Sequence, residues 1–221
     1  MNDIFDIGFA ISILPLLADA ALVTIMMTVA GFLVALPVGL ILVCLRLYTP
    51  GPTSYATIAV IEFLRSTPLL AQLFFMYFVF PLWGIDLSAT AIGIIALGLH
   101  YGAYYSEVFR GGIESVPRAQ WEATTALNLG RARTFFRIIL PQALVPVVPA
   151  IGNYLIALFK ETPILSAIAV AELMQAAKVI GADTFRYTEP ITLTGLFFLA
   201  MSLISAQGVR WLEHRMRKGL R

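Results

Sequence analysis

The sequence predicts an all-α membrane protein with about five transmembrane helices, and three observations lead to that fold class. Hydrophobic residues make up 59% of the chain, charged residues only 13%, and the mean hydropathy is +0.86. A soluble domain carries roughly 25% charged residues, which cover its surface. Here the charges fall in narrow strips, and the apolar runs between them reach the ~20 residues that a helix needs to cross a bilayer. Lipid is therefore the expected solvent for most of the chain.

The first two predicted spans are separated by a turn rich in Gly and Pro. Residues 1–19 contain three aspartates and no Lys or Arg, which is the wrong charge for the n-region of a cleaved signal peptide. A short retained N-terminal segment is therefore predicted. Span one runs from Ala20 to about Leu45, and residues 47–54 form the turn. Span two runs from Tyr55 to about Leu82 and is predicted to be interrupted near Pro68.

Three further spans follow, and a long polar loop divides them. Span three runs from Leu87 to about Phe109. Residues 111–140 form a polar loop with helices of its own, and span four runs from Pro141 to Phe159. After a mixed segment, span five runs from about Ile191 to Val209. Because the sequence has no internal repeat and no low-complexity tract, residues 1–221 are predicted to form a single domain.

The distribution of Lys and Arg predicts the orientation of these spans. Eleven lie on one side: Arg46, Arg110, Arg118, Arg131, Arg133, Arg137, Arg210, Arg215, Arg217, Lys218 and Arg221. The opposite side has Lys160, Lys178 and Arg186. Since cytoplasmic loops carry the excess of positive charge, the N-terminus is predicted to lie outside. The long polar loop and the C-terminus are predicted to lie in the cytoplasm.

The polar loop has the pattern of a helix-turn-helix that docks to another protein. Pro117 suits the first turn of a helix, and Asn128 or Gly130 can take the left-handed conformation that ends one. Ala123 and Ala126 give that helix small side chains, which let a partner pack closely. The loop therefore predicts a cytoplasmic knob that docks by the helix-in-groove mode.

This loop resembles the cytoplasmic EAA loop of the ABC-importer permease family. The family pattern is Glu-Ala-Ala, three residues, Gly, nine residues, then Ile-x-Leu-Pro. The matching residues are Glu122, Ala123, Ile138, Leu140 and Pro141. Thr124 replaces the second Ala, and Asn128 replaces the motif Gly. Because Asn is enriched in the left-handed region, the second replacement preserves the backbone turn.

Motifs outside the loop are similar to those of the polar amino acid uptake branch of the family. They are Arg65-Ser-Thr-Pro68, Tyr105-Ser-Glu107-Val-Phe-Arg110 and Lys160-Glu161-Thr162-Pro163. The last departs from the usual Lys-Asp-Thr-Ser of the branch. That departure, together with Arg118-Ala-Gln120 and the Asn128 region, also resembles permeases for the zwitterions ectoine and hydroxyectoine.

The resemblance implies the permease subunit of an ATP-driven importer for polar amino acids or a related zwitterion such as ectoine. It implies a multi-pass protein of the bacterial plasma (inner) membrane. The implied partners are a second copy or a similar permease, two cytoplasmic ABC ATPase subunits, an extracytoplasmic solute-binding protein and the lipid bilayer.

The sequence also predicts what this chain does not do itself. It contains no G-x-x-x-x-G-K-[ST] phosphate loop, so ATP and Mg are expected to be used by the partner ATPase. The chain is therefore expected not to be an enzyme and to bind no cofactor. A single cysteine, Cys44, cannot build a thiolate metal cage, and no metal site is predicted. The net charge of +2 gives no reason to expect nucleic acid.

Two sets of candidate site residues follow. The set implied to couple to the ATPase is Gln120, Glu122, Ala123, Asn128, Gly130, Leu140 and Pro141. The set predicted for the substrate pathway is Gln72, Tyr104, Glu107, Asn153, Lys160 and Glu161. Ionisable groups in spans are expensive and mark functional sites, and a zwitterion needs an anionic partner as well as a cationic or amide one. For Glu107 an interfacial position remains an equal alternative.

Two further interpretations concern residues outside these sets. Arg65 is expected to pair with Glu62 three residues before it. His100 is expected to be a buried histidine with its hydrogen bond satisfied, rather than a proton relay. A secondary transporter or channel is the alternative function, but such proteins commonly have internal repeats. An intramembrane enzyme is disfavoured because no H-x-x-x-H or G-x-S-x-G motif occurs.

Overall fold

The computed structural model describes residues 5–218, and all the regular elements in this range are helical. The α-helices are α1 (Ile7–Tyr48), α2 (Gly51–Ser66), α3 (Leu69–Val79), α4 (Ala89–Glu114), α5 (Arg118–Ala126), α6 (Arg131–Thr134), α7 (Leu140–Glu161), α8 (Leu173–Thr184) and α9 (Thr188–Lys218). Single 3-10 or π segments at Phe80–Trp83, Phe135–Ile139 and Thr162–Ile168 extend α3, α6 and α7. The predicted all-α class is confirmed.

Within residues 5–218, three helical stretches are long and apolar enough to cross a membrane on their own. They are Ile7–Tyr48, Arg131–Ile168 and Thr188–Arg215. A fourth stretch combines α2 with Leu69–Trp83, and its two halves meet at an angle of 101°. The bend lies at residues 66–68, so the interruption predicted near Pro68 is confirmed. Proline causes it because it lacks an N–H and pushes the residue before it out of the helical conformation.

The third predicted span corresponds to α4, which is long enough to cross but less apolar. It has 26 residues and packs against α1, α2, α3 and α7. Several of its polar side chains therefore face other helices, and His100, Tyr101 and Tyr105 are all at least 94% buried. Gly98 and Gly102 lie directly against Val34 and Val38 of α1. Small residues of this kind let helices approach closely in a membrane, where packing is the main attraction.

Helix α1 begins at Ile7, thirteen residues before the predicted start of span one. The first turn is capped by Asp6, whose carboxylate accepts a hydrogen bond from Phe9 N–H at 3.1 Å. Asp19 does not interrupt the helix because its side chain lies on the exposed face. The opposite face of this segment, including Leu17, packs on Leu173 and Ala177 of α8. The added turns are therefore held by tertiary contacts that the local charge pattern does not reveal.

A polar contact joins the first turn of α1 to the start of α9. Asp6 N–H donates to the carboxylate of Glu189 at 2.9 Å, and Arg186 bonds to both Asp6 and Glu189. The guanidinium of Arg186 also lies over the ring of Phe9 at 4.4 Å. The bond from Phe9 N–H and the Arg186 charge lower the pKa of Asp6. The cap on α1 is therefore ionised at neutral pH and stabilises the amino end of the helix.

Gly39→Ala is expected to destabilise the helix bundle. An added Cβ would lie 2.7 Å from Tyr105 Cβ and 2.9 Å from the backbone oxygen of Gly102. Neither atom can rotate away, so the cost should match that of overpacking a core, about 1–3 kcal/mol. The measurement is the thermal unfolding midpoint in detergent. Gly111→Ala is the matched control, because its Cβ would meet no atom within 4 Å; equal midpoints for the two variants would contradict the packing argument.

Candidate functional site

The break between α2 and α3 is stabilised by a buried glutamine. Gln72 is 7% exposed, and its amide nitrogen donates to Leu64 O at 2.8 Å and to Thr67 Oγ1 at 2.7 Å. These acceptors lie at the carboxyl end of α2, where the helix no longer supplies donors for its last carbonyls. Gln72 was predicted for the substrate pathway. The structure places its amide group in the break, where it bonds to the backbone.

A polar cavity of about 760 Å³ lies beside this break. It is bounded by the α2–α3 junction, by α4, and by the carboxyl end of α7 with the 3-10 segment that follows. Its charged and aromatic lining residues are Arg65, His100, Tyr104, Lys160 and Glu161. The predicted pathway residues Tyr104, Lys160 and Glu161 are therefore brought together from two distant helices. Asn153 lies on the exposed surface of α7, outside the residues that line the cavity.

Opposite charges lie on different walls of this cavity. The guanidinium carbon of Arg65 is 5.2 Å from the centre of the Tyr104 ring, and the Tyr104 hydroxyl donates to Arg65 O at 3.5 Å. On the other wall, the Glu161 carboxylate interacts with the side chains of Tyr101 and His100. Lys160 adds a second cation beside Glu161. The cavity can therefore hold a small molecule that carries both a carboxylate and an ammonium group.

Two of the charged and aromatic lining residues, Arg65 and His100, were not assigned to the pathway by the sequence. Arg65 pairs with Glu62 at 3.3 Å as expected, yet its guanidinium also reaches the cavity. His100 is buried between Tyr101 and Tyr104, but its Nδ1 has no hydrogen-bond partner among the described residues. The imidazole also has a backbone hydrogen bond to Leu64, so one ring nitrogen is paired and the other is not. The sequence offers one signal that Arg65 lies at the cavity: it precedes by three residues Pro68, the proline that breaks the span.

Glu107 lies outside the cavity lining, at the centre of an ion-pair cluster. One carboxylate oxygen pairs with Arg46 of α1, and the other bonds to Arg110 at 2.8 and 2.9 Å. Arg65 of α2 is 4.0 Å away. Glu107 thus joins three helices through charge pairs. Each arginine is less than one-third exposed, so these pairs are better shielded from solvent than those on an open surface.

A second cavity, of about 1540 Å³, lies between α1, the polar loop and α7. Its walls are mostly apolar and include Leu40, Val43, Phe135 and Val147. Because such a surface offers few partners for the charges of a zwitterion, the smaller polar cavity is the candidate solute site.

The polar loop folds as the predicted helix-turn-helix. Pro117 immediately precedes α5, and Asn128 adopts the left-handed conformation with φ +50°. Leu129 N–H then bonds to Thr124 O at 3.0 Å, and Asn128 N–H bonds to Thr125 O at 2.9 Å. These two bonds are those of a Schellman ending. The predicted left-handed turn at Asn128 is therefore confirmed, and α5 ends sharply enough to present an isolated helix.

One face of α5 is anchored to the membrane domain. Thr124 is 4% exposed and its hydroxyl donates to Trp121 O at 2.8 Å. The Trp121 side chain packs against a small apolar cluster that contains Ile139 and Ala143. Thr124, which departs from the family pattern, thus faces inward, away from the surface on which a partner could dock.

The other face of α5 and the adjoining turn are open to solvent. The predicted coupling residues exposed on α5 and on this turn are Gln120, Glu122, Ala123, Asn128 and Gly130. At the start of α7, Pro141 is exposed and Leu140 is partly buried. Leu127 was not among the predicted residues, but its side chain is 71% exposed beside Asn128.

Comparison with known families and proteins gives consistent matches across the chain. The profile of the family described as "binding-protein-dependent transport system inner membrane component" matches residues 28–218. A probable amino-acid ABC transporter permease protein of Sinorhizobium fredii is 42% identical over 213 residues, which cover 96% of this chain and 92% of the relative. The glutamine transport system permease protein of Escherichia coli is 32% identical over 206 residues, which cover 92% and 94%.

Two solved structures share the fold. One is described as an amino acid ABC transporter with histidines; it superimposes with a TM-score of 0.91 at 29% identity and covers 96% of this chain and 99% of that one. The other is an inward-facing form of the MetNI methionine ABC transporter, with a TM-score of 0.76 at 20% identity and coverage of 93% and 98%. The second likeness concerns the fold alone.

Proposed function

Because the chain belongs to the family of binding-protein-dependent transport system inner membrane components, we propose that it forms the solute pathway of an ATP-driven importer for polar amino acids or a related zwitterion such as ectoine. It is a permease component of an amino acid ABC importer. The observation that supports the solute class is the polar cavity, which is lined by Arg65 of α2 and by Glu161 of α7.

The chemistry of the cavity fits the two charged ends of an amino acid. Arg65 and Lys160 would bind the carboxylate, and Glu161 would bind the ammonium group. Glu161 is the last residue of α7, where the negative end of the helix dipole disfavours another negative charge. A cationic ligand relieves that repulsion. The aromatic faces of Tyr104 and His100 add a surface for the ammonium group or for the solute side chain.

The exposed surface of α5 is proposed to dock into a cytoplasmic ABC ATPase. Glu122 and Gln120 would supply polar contacts, while Ala123 allows close approach. Asn128 and Gly130 shape the turn, and Leu140 and Pro141 join it to α7. Since α7 is continuous from Leu140 to Glu161, it extends for roughly 33 Å at 1.5 Å per residue. Movement of the docked helix could therefore reach the cavity at the far end of α7.

The remaining partners and the orientation belong to the same proposal. Two ATPase subunits hydrolyse ATP with Mg, a second copy or a similar permease completes the pathway, and an extracytoplasmic protein delivers the solute. The N-terminus lies outside and the C-terminus in the cytoplasm, which places α5 on the side of the ATPases. The excess of Lys and Arg on the predicted cytoplasmic side supports this orientation through the positive-inside rule.

Reconstitution tests this proposal directly. Proteoliposomes that contain this chain and its candidate ATPase subunits are expected to hydrolyse ATP faster when binding protein loaded with one of L-arginine, L-glutamine or ectoine is added. Uptake of the same radiolabelled solute should require ATP. Uptake that follows an ion gradient and needs no ATPase would contradict the proposal and favour the secondary transporter.

A further inference from the structure

The ion pairs around Glu107 extend from the solute cavity to the cytoplasmic loop. The members of this Glu107 cluster are Arg46, Glu62, Arg65, Glu107, Arg110 and Glu114. Its three arginines and three glutamates cancel in formal charge. Arg65 is the member that also lines the cavity, and Glu114 is the last residue of α4, at the start of the polar loop. The cluster therefore has one end at each of the two candidate sites.

Arg65 is the least firmly held arginine of the cluster. Its Nη1 lies 3.3 Å from Glu62 and 4.0 Å from Glu107, whereas Arg110 makes bonds of 2.8 and 2.9 Å to Glu107. The Nε of Arg65 is buried and has no hydrogen-bond partner among the described residues. A buried donor without a partner is costly. Arg65 therefore retains the capacity to bind a further acceptor.

A solute carboxylate in the cavity would be a better partner for Arg65 than Glu107 is. Carboxylates bind guanidinium groups through two parallel hydrogen bonds, which are shorter and stronger than a single long contact. Glu107 keeps Arg46 and Arg110 when Arg65 turns away, so the exchange leaves no buried charge unpaired. When Arg65 leaves, Glu107 interacts more strongly with Arg46 and Arg110, because fewer cations share its negative charge. Arg110 in turn bonds to Glu114.

We infer that Arg65 is shared between the solute carboxylate and Glu107, and that this exchange signals occupancy of the cavity to the cytoplasmic loop. The path runs from Arg65 to Glu107, then through Arg110 to Glu114 at the end of α4. Arg65 is thus a binding residue for the carboxylate, and Glu107 is a positioning residue that acts through Arg65 and Arg110. This inference rests on the proposed function of the same cavity.

The first test compares each acid with its amide. The purified complex of permease and ATPase is titrated with radiolabelled L-arginine, L-glutamine and ectoine, and with the carboxamide of each. Arg65→Lys keeps the positive charge but removes Nε and the planar fork. For the solute that binds, we expect the variant to weaken the acid by about tenfold or more and to leave the carboxamide unchanged. Equal losses for acid and amide would overturn the assignment of Arg65.

The second test separates binding from signalling. Glu107→Gln removes the competitor for Arg65, so the acid should bind more tightly. The ratio of solute-stimulated to basal ATP hydrolysis should nevertheless fall about fivefold, the lower end of typical coupling between sites. Asp86→Asn is the matched control, because Asp86 is an exposed carboxylate that lies outside the Glu107 cluster and outside the cavity lining; it should change neither quantity. Identical behaviour of the two variants would overturn the inference.

The outcomes also distinguish this inference from the proposed function. A wild-type complex whose ATP hydrolysis never responds to solute contradicts the proposed function. A responsive wild type in which the Arg65 and Glu107 variants behave like the control contradicts the inference alone. If Glu107→Gln cannot be purified folded, Glu107→Asp replaces it, because the shorter side chain withdraws the carboxylate from Arg65 and should shift both quantities in the same directions.

Discussion

Glu122→Arg is expected to abolish the stimulation of ATP hydrolysis by loaded binding protein, while the chain still inserts and keeps its unfolding midpoint. Glu122 is exposed on α5 and sits next to Ala123, on the surface proposed to dock into the ATPase. Reversal of a charge within a docked interface typically costs several kcal/mol, which corresponds to a loss of affinity of roughly 30-fold or more. The measurements are co-purification of the ATPase in detergent and ATP hydrolysis in proteoliposomes.

Asp86→Arg is the matched control for this prediction. It makes the same change in charge at an exposed residue of the turn before α4, on the predicted outer side of the membrane. The ATPase should co-purify with this variant as it does with the wild type. If Glu122→Arg also retains the ATPase and its stimulation, then α5 is not the docking helix.

The features that the sequence predicted correctly depend on neighbouring residues. The break in span two follows from Pro68, and the left-handed turn follows from Asn128 at the end of a short helix. Glu62 and Arg65, which form an ion pair, are about one helical turn apart. Each of these features is determined within a few residues by backbone sterics or by helical spacing, so a single sequence contains the information.

The features that the sequence did not reveal depend on distant residues. Arg46 meets Glu107 across 61 positions, and Leu173 N–H meets the Thr24 hydroxyl across 149. Side-chain chemistry alone placed Gln72 and Glu107 with the pathway. The folded arrangement shows that the Gln72 amide bonds to the end of α2 and that Glu107 forms ion pairs with three arginines. Helical periodicity in the sequence indicates which residues share one face of a helix. Which faces pack against each other depends on the tertiary arrangement, including the 101° bend between α2 and α3.

Tyr104, Lys160 and Glu161 were predicted from a different argument. Ionisable groups in a membrane are expensive and mark functional sites, and a tyrosine ring can bind a cation. The three residues line one cavity, while Asn153 lies on the exposed surface of α7 outside the lining. The sequence gives the chemistry of each side chain, whereas the fold determines which of them share a cavity; their part in the solute pathway stays a prediction.

Glu161→Gln is expected to reduce solute uptake roughly 10- to 150-fold, the range for loss of one hydrogen bond to a charged group. The replacement keeps the shape of the side chain and removes only the negative charge proposed to bind the ammonium group. The half-saturating solute concentration should rise, because the loss concerns the solute alone. The measurement is ATP-dependent uptake in proteoliposomes over a range of solute concentrations.

Asp183→Asn is the matched control for the Glu161→Gln prediction. Asp183 is an exposed carboxylate of α8, outside the cavity lining, and its neutralisation should leave uptake unchanged. Uptake by Glu161→Gln at the wild-type level would show that the ammonium group binds elsewhere. A loss of uptake at every solute concentration, with no change in the half-saturating value, would instead place Glu161 in the movement of α7. Glu161 is at the end of the helix that begins at the docking loop, so the two roles make opposite predictions for the concentration dependence.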